Sequence, residues 1–400
     1  MAALFEPTKI KSLDLKNRLV RSATHEGMAD EAGFPKPSLT ALYKRLAEGG
    51  VGLIITGHAF VSAEGKSMLG GMLGLDQDRH VQAFRPVVEK VHANGARIAM
   101  QISHCGRQTL PESIGERPIA PSAVRDKALL VTPRAMTEAD MERVIIAFGR
   151  AARRVRESGF DAVQLHAAHG YLLNQFLCPH TNRRKDRWGG SIKNRMRIIT
   201  EVYRSCRREV GPDFPILIKI NADDAMRKGL KPEESLIMAR MMSELGFDGI
   251  EVSCGIGEDG LSMSRGDLPL DAFVDDWELY RRKNPLFRLL MRRLGRRLLK
   301  PLPLEPAYNL PLAKALKSRI RTPVFVVGGL YQPQVLHRIV EEEEADYVSL
   351  CRALIADPLW PKKIEAGRPE PSRCIHCNLC LAYLPGRPLR CYHGQRLEPR

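Results

Sequence analysis

Eight short β-branched or apolar runs recur along this chain, at 19–22, 51–56, 97–103, 162–166, 216–221, 249–253, 323–328 and 346–350. Between them the apolar residues fall at helical spacing. In 141–157, for example, Val144, Ile145, Phe148, Ala151, Ala152 and Val155 share one side. Consecutive parallel strands need a crossover, usually a helix, so this alternation predicts a parallel sheet. Eight repeats favour closure into a (β/α)8 barrel, the TIM fold of the α/β class, over an open doubly wound sheet.

A chain of 400 residues, 44% hydrophobic and 27% charged, is long for one ordinary domain but normal for a barrel with insertions. The expected organisation is a barrel over 1–368 that carries a basic helical insertion at about 270–305, followed by a cysteine-rich extension over 369–400. No apolar stretch approaches the roughly 20 residues needed to cross a bilayer, and the start lacks the regions of a signal peptide, which makes the cytoplasm the expected compartment. The net charge of +16 is concentrated: residues 281–300 hold nine Lys or Arg and no acid. A nucleic-acid partner is therefore not expected, because such a partner asks for charge spread over a binding face. An oligomer is compatible with everything in the sequence.

In such a barrel the reactive groups gather where the strands end. Ser22, Ala23, Thr24 and His25 follow the first run, and Gly57 and His58 the second. Gln101 and His104 accompany the third, and His166, His169 and Tyr171 the fourth. The fifth carries Lys219, the seventh ends in Gly328-Gly329, and the eighth in Cys351-Arg352. Paired glycines admit an anion close to the backbone, and Arg352 can fork onto phosphate oxygens; the plainer alternative is a chain turn and a surface ion pair. His166 and His169, three residues apart, can both donate to one carbonyl or phenolate oxygen, with Tyr171 placed to protonate a substrate carbon. Metal binding or plain surface histidines are the weaker alternatives, since H-x-x-H without a nearby carboxylate is a poor zinc signature. Lys219, at the end of a buried strand, calls for an anionic partner, either a reduced flavin edge or a carboxylate such as Asp223.

The chain resembles the Old Yellow Enzyme family of FMN-dependent NAD(P)H oxidoreductases along nearly its whole length. The resemblance rests on Leu4-Phe5-Glu6-Pro7, Asn17-Arg18-Leu19-Val20, Gln101 with His104-Cys105-Gly106-Arg107, and the block from His166 through Leu177, continued by Asn182-Arg183 and 186–191. It implies FMN at the barrel mouth, with Ser22, Ala23 and Thr24 along the flavin edge, Gln101 on the pyrimidine portion and Lys219 near N1. Gly328, Gly329 and Arg352 would hold the phosphate, with His25, His58 and Cys351 also lining the cofactor. His166 and His169 would grip a substrate carbonyl while Tyr171 donates the proton. Two positions depart from the family pattern: His25 stands where many members have Thr or Cys, and Lys219 replaces the usual Arg, which keeps the charge and loses the planar fork.

Cys374-Ile375-His376-Cys377-Asn378-Leu379-Cys380, then Cys391, resembles the iron-sulfur segment that follows the barrel in 2,4-dienoyl-CoA reductases and trimethylamine dehydrogenase. Four thiolates at this spacing suit a 4Fe-4S cluster; tetrahedral zinc with His376 in reserve, or free cysteines, are the alternatives. The basic insertion predicts a helix with Phe287, Leu290, Met291, Leu294 and Leu298 on one face and arginines on the others. A lid packed on the barrel is the favoured reading, beside a membrane-surface helix or a grip on an acidic substrate. Together these point to an NAD(P)H-dependent flavoprotein that reduces alkenes activated by a carbonyl. The alternative is a flavin/iron-sulfur dehydrogenase that hands electrons to a separate protein.

Overall fold

In the computed structural model, which describes residues 3–259, 262–281, 283–299, 302–384 and 386–395, the eight runs become eight strands. They are β1 (Leu19–Arg21), β2 (Leu53–Ile55), β3 (Arg97–Ser103), β4 (Ala162–Ala167), β5 (Ile216–Asn221), β6 (Gly249–Ser253), β7 (Val324–Val327) and β8 (Tyr347–Leu350). Each pairs in parallel with the next, and β8 pairs with β1, so the sheet closes on itself. Burial runs almost unbroken along these strands, as it must where side chains on one face fill the barrel and those on the other meet helices.

Helices α1 (Pro37–Glu48), α2 (Arg79–His92), α3 (Glu138–Glu157), α4 (Arg197–Val210) and α5 (Pro232–Leu245) follow the first five strands. The helix read from 141–157 starts earlier, because Thr137 and Asp140 form a reciprocal cap that satisfies backbone N–H groups at its start. Val144, Phe148, Ala151, Ala152 and Val155 are buried as expected, and Ile145 is half-buried. At the other end of the barrel, a hairpin of Thr8–Ile10 and Leu13–Leu15 packs Ile10, Leu13 and Leu15 in one cluster with Val20, Leu53, Ala99 and Leu217.

The sixth unit is enlarged. Between β6 and β7 lie α6 (Leu270–Asp276), α7 (Pro285–Leu299) and α8 (Leu310–Lys317), after which come α9 (Pro333–Glu341) and α10 (Arg352–Ala356). Leu268, Leu270, Ala272 and Phe273 form a small core with Ala382 of the C-terminal extension, and Trp277 Nε1 donates to the Ala382 carbonyl at 2.9 Å. α7 rests on α6, through Gly295 against Leu270 and ion pairs from Arg288 and Arg292 to Asp275.

This seating corrects the expected helical face. The side of α7 turned inward holds Phe287, Arg288, Met291 and Gly295, because glycine lets Leu270 approach closely. Leu290 and Leu294 are exposed, together with Leu286 and Leu289. The Leu298 side chain lies outside the described residues. Among the described residues, no helix is long and apolar enough to cross a membrane.

Candidate active site

The carboxyl ends of the strands surround one cavity. Ser22, Ala23, Thr24, His25, His58, Gln101, His166, His169, Tyr171, Lys219, Gly328, Gly329, Cys351 and Arg352 all line it, as does Cys380. The sequence therefore named a group of residues that the barrel brings together from seven of its eight strands.

His166 is the penultimate residue of β4, and the Ala168 backbone N–H donates to its Nδ1 at 3.3 Å. With Nδ1 accepting, the ring proton sits on Nε2. His169 meets His166 edge-on at 5.1 Å between ring centres, and Tyr171 does so at 4.9 Å. His169 occupies the left-handed region at φ 61°, a conformation that non-glycine residues rarely adopt. Three bonds hold it there: its N–H donates to Asn221 Oδ1, its carbonyl accepts from Gln108 Nε2, and Nε2 lies 2.7 Å from Ser253 Oγ.

Burial, followed by the neighbouring His169, keeps the His166 pKa well below the usual imidazole range. Burial and Lys219 hold His169 down to about 3, and burial with His25 depresses His58. These rings are neutral at physiological pH. Burial pushes the Tyr171 phenol far up, so it stays protonated against His58 and His166. Neutral N–H donors beside a protonated phenol can stabilise developing negative charge on oxygen and deliver a proton.

The interior beneath is a chain of polar contacts. Lys219 Nζ donates to Ser22 Oγ at 2.8 Å and pairs with Glu251 at 3.2 Å. Gln164 Nε2 donates to the same carboxylate, and Gln101 Nε2 donates to Gln164 Oε1. Glu251, not Asp223, is thus the carboxylate beside Lys219. The two are register partners on β5 and β6, whereas Asp223 lies beyond the strand and faces Lys231.

Gly328 and Gly329 have φ of 124° and 68°. A Cβ on the first would meet the Tyr308 ring at 2.6 Å, and one on the second the Glu305 carbonyl at 2.3 Å, so this cradle admits only glycine. Arg352 opens α10, with Nη1 donating to the Arg265 carbonyl and Asn378 Oδ1. Thr24 Oγ1 and Cys351 Sγ lie 3.2 Å apart, and His25 Nε2 is 3.0 Å from the Gly70 carbonyl. His58 Nδ1 and Ser349 Oγ are buried without a protein partner. Unspent polar atoms, a lysine and a glycine cradle in one cavity fit a flavin nucleotide.

Asn378 fastens the extension to this site: its Nδ2 donates to the Ser264 and Asp267 carbonyls while Oδ1 receives Arg352. Cys374, Cys377, Cys380 and Cys391 are half-buried free thiols. Burial, with Cys351, Cys374 and Cys377 nearby, pushes Cys380 up to about 12. The donor set suits an iron-sulfur cluster, but among the described residues no three His, Cys, Asp or Glu side chains gather closely enough to hold a metal. Ser253, Glu251 and Asn378 were not foreseen. Alternation in 249–253 puts Glu251 and Ser253 on one face, a signal that was present.

Fold and site together define a flavin-dependent oxidoreductase built on a (β/α)8 barrel. The chain belongs to the NADH:flavin oxidoreductase / NADH oxidase family, whose pattern matches residues 3–255 and 297–371. FMN is the cofactor that this membership brings. An NADH oxidase of Thermoanaerobacter brockii is 36% identical over 94% of this chain and 53% of its own length. An NADPH dehydrogenase of Geobacillus sp. (strain WCH70) is 33% identical over 90% of this chain and 92% of its own. A solved 2-naphthoyl-CoA reductase, in complex with 2-naphthoyl-CoA, superposes with a TM-score of 0.82 at 26% identity over 96% of this chain and 56% of that one. An Old Yellow Enzyme homologue of Zymomonas mobilis, at 23% identity and a TM-score of 0.75, shares the fold over 94% of this chain and 96% of its own. The chain thus spans about half the length of the NADH oxidase and of the 2-naphthoyl-CoA reductase, and nearly all of the NADPH dehydrogenase.

Proposed function

We propose that the protein reduces a carbon–carbon double bond activated by a carbonyl group, at the expense of NAD(P)H. The observation that carries this reading is the neutral His166, its Nε2 protonated, beside the protonated Tyr171 phenol in one cavity. When bound, FMN supplies the hydride, taken from NAD(P)H. Lys219, Gln101, Ser22, Ala23 and Thr24 would hold its ring, with His25, His58 and Cys351 around it. Gly328, Gly329 and Arg352 would hold its phosphate. His166 donates to the substrate carbonyl oxygen, and His169 joins it when Ser253 releases Nε2. Negative charge that develops on this oxygen meets N–H donors already in place, which requires no reorganisation. Tyr171 passes its proton to the carbon next to the carbonyl and regains one from solvent. One hydride and one proton together saturate the double bond. Replacing Tyr171 by Phe tests this: the reading requires that substrate reduction slow while reduction of the flavin by NAD(P)H does not. Equal slowing of both would remove the proposed role.

A second reading is favoured by one observation, that Cys380 lies on the cavity wall. In it, Cys374, Cys377, Cys380 and Cys391 would have to draw together to hold an iron-sulfur cluster, which would supply one-electron transfer toward a separate protein. Iron and acid-labile sulfide bound stoichiometrically to the purified chain would support it. Their absence after anaerobic purification and reconstitution would dismiss it.

A further inference from the structure

α7 turns apolar side chains to water: Leu286 is 74% exposed, Leu290 50%, Leu289 45% and Leu294 38%. At 3.6 residues per turn, Leu286, Leu290 and Leu294 form one row along the helix, and Leu289, Arg293 and Arg297 form the adjacent row. Arg293 and Arg297 are exposed. The opposite side is spent on α6, through Arg288, Gly295 and their partners. No acidic residue occurs between Glu278 and Glu305, while 281–300 carries nine Lys or Arg. The family pattern passes over 256–296, so chemistry common to the family does not account for the leucine row.

We propose that α7 docks the protein on an anionic phospholipid surface, with its leucine row in the acyl boundary and its basic row among the lipid phosphates. A leucine row beside a basic row is the pattern of a helix that lies in the membrane interface rather than across it. The long arginine side chains can keep their heads at phosphate level while their stems cover apolar surface. Charge complementarity selects the occupant. A second copy of the chain would set one acid-free basic helix against another, whereas a bilayer containing phosphatidylglycerol offers a dense negative surface to the same groups. α6 stands between α7 and the extension that supplies Cys380, Leu381 and Leu384 to the cavity wall, so the docked face points away from the cavity.

The test is co-sedimentation of the full, flavin-loaded chain with large vesicles of phosphatidylcholine alone and of phosphatidylcholine with phosphatidylglycerol. Binding is expected to the mixed vesicles and to be at least about tenfold weaker to the neutral ones. The pair Arg293→Glu and Arg297→Glu should weaken it by a similar factor of about ten or more. The pair Leu286→Ser and Leu290→Ser should also release the protein, although every charge remains. All four positions are on the surface, so bound flavin and thermal stability serve as controls for the fold. No binding to the mixed vesicles would overturn the proposal, as would binding that survives the leucine changes, which would mark a diffuse charge effect. Loss of self-association on the leucine changes, without vesicle binding, would assign the face to a second copy and overturn it equally.

Discussion

The backbone N–H of Ala168 points at Nδ1 of His166 across 3.3 Å, and this contact decides what the cavity sees of the imidazole. Because Nδ1 accepts, Nε2 carries the proton. Because burial keeps the ring neutral, that N–H is a hydrogen-bond donor and not a counter-ion. A carbonyl or phenolate oxygen is the matching ligand.

Replacing His166 by Ala should therefore weaken the binding of a para-substituted phenol by about thirtyfold, as expected from about 2 kcal/mol for a hydrogen bond to a charged oxygen. Titration of the visible flavin band measures it. Unchanged affinity, with flavin content intact, would show that the phenol does not use this N–H.

Tyr171→Phe should slow the oxidative half-reaction with an enone by about a hundredfold or more, the usual range for loss of a positioned proton donor. Burial keeps the phenol protonated across the working range, so it is a proton donor at every pH of interest. Stopped-flow mixing of the reduced protein with the enone, against separate mixing of oxidised protein with NADPH, resolves the two halves.

Lys219 and Glu251 sit 3.2 Å apart, both almost completely buried. Glu251→Gln leaves the ammonium without its carboxylate and should destabilise the fold by about 3 kcal/mol in urea unfolding. The double change Lys219→Met with Glu251→Leu should recover much of that stability, because no unpaired charge remains, yet retain flavin poorly. A harmless Glu251→Gln would mean that the pair does not matter to the fold.

Stability should fall in mild acid through the cavity histidines. His58, His166 and His169 have folded pKa values below the 6.5 of an exposed imidazole, with His169 at about 3. Below pH 6.5 the unfolded chain takes up protons that the fold refuses. Stability is thus fully present above that pH and is lost as pH falls from there toward 3. Urea midpoints across this window should drop, and His169→Asn should flatten the dependence by up to about one proton. An unchanged slope in the variant would place His169 in water.

Gly329→Ala should abolish flavin retention more than it affects strand content. The added methyl must displace the Glu305 carbonyl and adopt φ 68°. Flavin released per chain, with circular dichroism as control, reads this directly, and full retention would show that the cradle can give way.

Much of this architecture was legible because barrel strands are short apolar runs bounded by helical periodicity, and because reactive residues cluster just after them. The block from His166 to Leu177 named both the strand end and the substrate side. Other features depend on what lies across space. Glu251 was hidden because pairing across β5 and β6 is a matter of register, and Asp223 is nearer to Lys219 in sequence than in the fold. The orientation of α7 does not follow from its periodicity, which alone cannot tell which face a neighbour will take. Gly295 settled it by admitting Leu270. Asn378, an uncharged residue among cysteines, carries no sequence signal of its link between the extension and Arg352.

The most direct test of an NAD(P)H-driven alkene reductase is an anaerobic cycle on one sample, followed through the visible flavin band. NADH or NADPH is added until reaction stops, and then a cyclic enone is added. Bleaching by the nicotinamide and recovery by the enone, with the saturated ketone formed in equal amount to the NAD(P)H consumed, is the predicted result. A purified protein without flavin, or a reduced flavin that the enone leaves bleached while an electron-accepting protein restores it, would contradict it.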